Sequence, residues 1–160
     1  MRHVAFIGIG SNLEGPRARV LAAFNALDAL PQTELTARSP LYRSAPLGGP
    51  PQPDYVNAVA RLATELDADA LLEALQAIET AEGRSRGEAN APRTLDLDLL
   101  LYDSAVLDTA DLQIPHPRMH ERRFVLAPLH DIAADAWIPG RGRVTELLAQ
   151  CPAQRLERMT

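Results

Sequence analysis

Asp96 and Asp98 stand two residues apart in the run TLDLDLLLYD, Thr94 to Asp103. On an extended strand, residues two apart point the same way, about 6.5 Å apart at the backbone. Two carboxylates so placed can flank a pair of Mg²⁺ ions about 3.5–4 Å apart. Magnesium takes hard oxygen ligands and usually binds through one or two carboxylates plus substrate phosphates. The pair alone fits a solvated strand face equally well, with Asp as the polar half of an alternation. Its neighbours weigh against that. Pro92 and Arg93 directly precede the run, and Arg84 and Arg86 lie in the same preceding loop. Carboxylates for metal and arginines for phosphate are the inventory of a Mg²⁺–nucleotide site.

A second set of residues suits a planar heterocycle. Tyr55 and Asn57 point the same way on a strand that comes after the proline-rich APLGGPPQPD. Tyrosine offers a flat stacking face, and asparagine offers both donors and an acceptor. A half-exposed strand face is the competing reading. Phe124, after ERR, is a natural second stacking partner. His116, between two prolines, reads as a fixed hydrogen-bonding group. Zinc ligation with His120 would need a helix, and Pro117 breaks one. Arg118, Arg122 and Arg123 add positive charge. Ser11 has no evident histidine partner, and no G-x-S-x-G is present, so a hydrolase triad finds no support. GIGSNLEG succeeds a strand and precedes a helix, but Leu13 stands where a dinucleotide fingerprint needs glycine. A tight strand-to-helix turn is the better reading there.

These residues need a frame. His3 to Ile9 reads as a buried strand, and Pro16 opens a helix to about Leu30 with Val20, Ala23, Phe24, Leu27 and Leu30 on one stripe. TELTARSPLYRS forms a second strand and YVNAVARLATEL a third. Asp67 or Asp69 caps a second helix to about Glu82, with Leu71, Leu72, Leu75, Ile78 and Glu79 inward. The run that holds the two aspartates is the fourth strand, with Leu95, Leu97, Leu99 and Leu101 on one face and Asp96, Asp98, Leu100 and Tyr102 on the other. The resulting βαββαβ order is that of the ferredoxin-like α+β fold, an antiparallel sheet with helices on one face. The C-terminal remainder is expected to be an extension of loop and short helices, including FVLAPLHDIA and VTELLAQ.

The 160 residues suit one domain, 1–160. Net charge is −5, which argues against general nucleic-acid affinity. No apolar run is long enough for a bilayer helix, and no leader pattern is evident, so a cytoplasmic protein is expected. A monomer is the expected state. Single Cys151 supports neither an internal disulfide nor a zinc cluster. All sixteen basic residues are arginine. That removes the Walker A loop and Schiff-base chemistry, which need lysine.

IGIGSNLEGP, SPLYRSAPLG, QPDYVNAV, APRTLDLDLLLYD and IPHPRMHERRFVLAPL together resemble the 6-hydroxymethyl-7,8-dihydropterin pyrophosphokinase family. The resemblance spans nearly the whole chain. It implies a Mg²⁺-dependent transfer of pyrophosphate from ATP to the hydroxymethyl group of 6-hydroxymethyl-7,8-dihydropterin in folate biosynthesis, with release of AMP. By that resemblance Asp96 and Asp98 hold two Mg²⁺ ions, and Arg84 and Arg93 clamp phosphates. Gln76, Glu79, Arg86, Leu99, Gln113, His116 and Arg122 serve ATP. Tyr55 and Phe124 sandwich the pterin, with Asn57 and the loop of Ser44, Ala45, Pro46 and Leu47 at its edge. The loops Pro46–Pro53 and Gly83–Pro92 are expected to close over the substrates. The chain carries Asn90 where some members have tryptophan, and Pro117 where some have an aromatic residue. A metabolite-binding module has no need of the acidic and arginine set, and a nucleotide hydrolase has no need of the Tyr55, Asn57 and Phe124 surface.

Overall fold

The computed structural model describes residues 2–12, 15–45, 51–82, 95–152 and 154–159. Strand β1 (His3–Ser11) leads into helix α1 (Pro16–Asp28), then β2 (Thr33–Arg38), β3 (Tyr42–Ser44), β4 (Tyr55–Thr64), α2 (Ala68–Ala81) and β5 (Asp96–Tyr102). After these come β6 (Leu107–Asp108), β7 (Gln113–Ile114), α3 (Arg123–Ala133), β8 (Trp137–Ile138), β9 (Gly142–Arg143), α4 (Val144–Gln150) and β10 (Leu156–Arg158). The main sheet runs β10-β3-β4-β1-β5, with β2 also on β4, and each of its pairings is antiparallel. The chain is thus a mixed α/β protein built on an antiparallel sheet.

Local chemistry sets the element ends. Gly15 takes φ 73°, a left-handed turn that only glycine adopts freely, and Pro16 then starts α1 with its φ already helical. Asp67 caps α2 by accepting the Ala70 amide at 2.8 Å. The single strand expected over TELTARSPLYRS is interrupted. Ser39 still exchanges backbone and side-chain bonds with Val59 at 2.9 Å, but Pro40 has no amide to give the ladder. β2 and β3 therefore pair with successive halves of the same strand, β4.

Both faces of the sheet are covered. Val20, Ala23, Phe24 and Leu27 of α1 and Leu71 and Leu75 of α2 pack on one face against Ile7, Ile9, Ala58, Leu62 and Leu97. The other face carries Phe6, Val59, Leu100 and Leu101 beneath Val125, Leu126 and Leu129 of α3, Ile138, and Val144 of α4. The C-terminal third is therefore not an appendage, as its short elements imply. It forms the second core layer, because the sheet's second face is too apolar to leave in water.

The strand carrying the aspartates departs from strict alternation. Phe6 pairs with Leu101 while Ile7 pairs with Leu99, so Leu100 is an extra residue. Such a bulge reverses the side-chain alternation beyond it. Leu95, Leu97 and Leu99 face α1 and α2 as expected, but Tyr102 joins them, and Leu101 turns to the α3 side beside Leu100. Tyr102 is held there by donating to the Leu66 carbonyl at 2.6 Å.

Candidate active site

The alternation of β5 upstream of the bulge places Asp96 and Asp98 on the α3 side of the sheet, each half-buried. Opposite them on β1 stand Gly10 and Gly8, in register with Asp96 and Asp98 respectively. Residues directly opposite in an antiparallel pair share a face. At these two positions β1 therefore sets no side chain against the aspartates. Gly8 lies within β1 as expected. Gly10 does too, because the strand runs on to Ser11, where the sequence predicts a turn into α1 from Gly10.

The same row continues across the sheet. Gly10 pairs with Asn57 on β4, and Asn57 pairs with Tyr42 on β3. Asn57 is buried, and the Ser44 hydroxyl donates to its Oδ1 at 2.5 Å. Tyr55, opposite Ser44, is half-buried on the same face. Phe124 sits in the first turn of α3, which covers this face, and the Arg122 guanidinium lies 5.7 Å from its ring centroid. Ser44, Tyr55, Asn57, Phe124, Asp96 and Asp98 are thus brought to one side of the sheet. Ala45, half-buried, comes directly after Ser44. Beyond the sheet, Asn12 donates to Gln52 Oε1 at 2.7 Å and to the Pro53 carbonyl at 3.0 Å, which ties the chain before β4 to the end of β1.

The outer edge of β5 is served from two directions. Glu79 of α2 is 4% exposed, and its carboxylate accepts the Leu97 amide at 2.8 Å. Gln76, one turn earlier, is exposed. The period of two puts the Leu99 amide on the same edge as that of Leu97, while the Leu99 side chain is core. From the other direction the His116 amide donates to the Leu100 carbonyl at 3.0 Å. Gln113 and His116 line a common groove of about 330 Å³, in which the Gln113 amide donates to Asp108 at 3.0 Å.

His116 is held neutral. Burial, then the guanidinium groups of Arg122 and Arg118, push its ring down to about 4. The Arg118 amide donates to Nδ1 at 3.2 Å, so the single ring proton belongs on Nε2. Nε of Arg122 is buried with no acceptor among the described residues. A buried charged donor without a partner is costly, and an anionic ligand supplies one.

Arg84, Arg86 and Arg93, with Pro46, Leu47 and the bulk of both expected closing loops, lie outside the described residues. Among the described residues no group of three or more His, Cys, Asp or Glu side chains is placed to hold a metal. Two carboxylates facing two glycines still fit a hard divalent cation whose other ligands are phosphate oxygens and water. Residue types alone point to Asp96, Asp98, Asn57 and His116 but not to Gly8 and Gly10, whose meaning depends on a partner strand far away in sequence.

An antiparallel sheet with an acidic edge strand, a polar and aromatic floor and helices on both sides defines the class. Solved structures share that fold. A crystal structure of an HPPK-DHPS in complex with substrates matches with TM-score 0.73 at 13% identity, covering 93% of this chain and 43% of that one. The wild-type Plasmodium falciparum HPPK-DHPS with pteroate matches at TM-score 0.74 and 12% identity, covering 94% of this chain and 42% of that one. This chain thus spans less than half the length of those structures.

Residues 6–134 match the family model 7,8-dihydro-6-hydroxymethylpterin-pyrophosphokinase, and the chain belongs to that family. The 2-amino-4-hydroxy-6-hydroxymethyldihydropteridine pyrophosphokinase of Pseudomonas aeruginosa is 49% identical over 154 residues, covering 96% of this chain and 95% of the relative. The Haemophilus influenzae protein of the same name is 47% identical over 146 residues, with 91% of each chain covered.

Proposed function

We propose that this chain transfers a pyrophosphoryl group from ATP to the hydroxymethyl oxygen of 6-hydroxymethyl-7,8-dihydropterin, releasing AMP, as a step of folate biosynthesis. The observation that carries the reading is the shared sheet face of Asp96, Asp98, Asn57, Ser44 and Tyr55 in a chain of the pyrophosphokinase family. The strand order, with β1 and β4 central, supports a ferredoxin-like core. The chain acts as one 1–160 unit, a cytoplasmic monomer. No helix among the described residues is long and apolar enough to cross a membrane.

In the reaction the pterin oxygen attacks the β-phosphorus in line, and the bond from that phosphorus to the α-phosphate oxygen breaks as AMP leaves. Tyr55 and Phe124 clamp the pterin, and Asn57, oriented by Ser44, reads its edge. Asp96 and Asp98 would hold two Mg²⁺ ions, which when bound would supply charge neutralisation to the triphosphate and ease deprotonation of the hydroxyl. The Asp96 carboxylate is the acceptor at hand for that proton. Arg84 and Arg93 offset charge on the leaving side, where positioned charge is worth most. His116 donates Nε2–H to a phosphate or ribose oxygen without adding charge, and Arg122 finds in the phosphates the acceptor its Nε lacks. Gln76, Glu79, Arg86, Leu99 and Gln113 complete the nucleotide side.

Incubation with ATP, Mg²⁺ and the hydroxymethyl-dihydropterin, with AMP measured, tests the proposal. AMP formed only when pterin is present supports it. Pterin-independent breakdown of ATP points instead to a hydrolase, and no turnover to a binding module.

A further inference from the structure

Gly10 has no backbone reason to be glycine. It lies mid-sheet between Asn57 and Asp96, and its φ is not positive. The reason lies across the strand. A Cβ on Gly10 would stand 3.1 Å from Nδ2 of Asn57 and 3.8 Å from Cδ1 of Tyr55. The first distance is tighter than side chains normally tolerate, so the amide would have to give. At Gly8, two residues earlier on the same face, a Cβ would meet only Leu100 at 3.4–3.5 Å, an ordinary contact. The restriction therefore belongs to the Asn57 amide and not to the strand.

Asn57 has little room to yield. It is 6% exposed, and Ser44 donates to its Oδ1, which fixes which way round the amide sits. Nδ2 is thereby directed over the bare Cα of Gly10. We propose that Gly10 is a positioning residue for the pterin. Its missing side chain lets the Asn57 amide lie flat on β1, at the depth and rotation needed to meet the edge of a planar heterocycle. The inference rests on the reading of Asn57 as a pterin contact. It deepens that reading by assigning the amide's orientation to two residues, Ser44 and Gly10.

A double-mutant cycle tests it. Wild type, Gly10→Ala, Asn57→Ala and the double variant are compared in two ways. One is equilibrium binding of 6-hydroxymethyl-7,8-dihydropterin with Mg²⁺ and a non-hydrolysable ATP analogue. The other is the KM for each substrate with kcat. Gly10→Ala is expected to weaken pterin binding and raise its KM about tenfold, the effect of one spoiled buried hydrogen bond, with the KM for ATP changed less than about twofold. In the Asn57→Ala background the same change is expected to cost less than about twofold. Unchanged pterin binding by Gly10→Ala, or an equal loss in both backgrounds, overturns the role of Gly10. If Asn57→Ala itself leaves pterin binding unchanged, the proposal falls at its premise, the assignment of Asn57, and not at Gly10. Should Gly10→Ala fail to fold, a folded double variant supports the contact as the cause, and an unfolded one overturns it.

Discussion

Glu79 grips the backbone of β5 at Leu97, the residue that separates Asp96 from Asp98, through a 2.8 Å bond from the Leu97 amide. That amide points out from the side of β5 away from β1, the one strand that β5 pairs with in the sheet among the described residues. A carboxylate 4% exposed thus supplies the partner that a further strand would supply elsewhere. Glu79→Ala is expected to destabilise the fold by about 1–3 kcal/mol, since it leaves a buried amide without an acceptor. Glu79→Gln keeps an acceptor and should cost less. Urea unfolding of the three proteins decides it, and equal midpoints would strip the bond of any part in stability.

Asp96 and Asp98 are half-buried and directed away from the core of α1 and α2. Their replacement should therefore cost function more than stability. Asp98→Ala is expected to lower Mg²⁺-dependent AMP formation at least about a hundredfold, the worth of one essential charge stabiliser. Thermal unfolding of the variant should stay close to wild type. Near-normal AMP production would sink the assignment of Asp98 to the metal.

His116 makes stability depend on acid. Its folded pKa, about 4, lies below the unfolded value of 6.5, because the folded ring resists protonation. The unfolded chain therefore binds a proton first as pH falls. Its contribution is complete above about pH 6.5 and is lost progressively down to about pH 4. With a discount for the ring's partial exposure, about 1–2 kcal/mol is at stake. Denaturant unfolding at several pH values should show a shallower acid limb in His116→Gln than in wild type. Parallel limbs would refute the neutral, buried ring.

The C-terminal strand β10 is fastened by one polar knot. The Tyr42 hydroxyl donates to Asp131 of α3, and Arg158 donates to Asp131 at 2.8 Å and to the Tyr42 oxygen at 3.2 Å. Burial and the neighbouring Asp131 raise the Tyr42 pKa, so the phenol stays protonated at neutral pH. Tyr42→Phe is expected to cost about 1 kcal/mol. It should also speed amide exchange in Leu156–Arg158 ahead of the rest of the sheet. Exchange unchanged in that segment would show that the backbone pairing with β3 holds β10 unaided.

Much of the fold is legible in the order of residues alone. The alternation of Val56, Ala58, Ala60 and Leu62 against Tyr55, Asn57 and Val59 locates β4 and both its faces, since strand period is a local property. The stripe of Leu71, Leu75 and Glu79 does the same for α2. The bulge is not legible. Leu99, Leu100 and Leu101 offer no polar contrast, so nothing in the residue types marks where the phase slips. The second core is hidden for a related reason. Leu126, Leu129, Ile138 and Val144 are spread over short elements, each too small to announce a layer by itself. The glycines opposite the aspartates are invisible because cross-strand register is not written in either strand alone.

The bulge at Leu100 divides β5 into two lengths with different duties. Upstream, Asp96 and Asp98 alternate with the core leucines and carry carboxylates on the face turned from α1 and α2. Downstream, Leu101 and Tyr102 are committed to opposite cores. A change in the acidic half therefore need not be transmitted to the anchoring half, and the chain can tune its chemistry while its hold on both helical layers stays the same. Removal of Leu100 would fuse the two lengths into one regular strand. Leu99, Leu101 and Tyr102 would then alternate on the faces they already hold. A regular strand that kept Leu100 would instead either invert the tail, with Leu101 under α1 and α2 and Tyr102 under α3, or turn the aspartates into the core. One surplus residue thus works as an insulator between reactivity and cohesion.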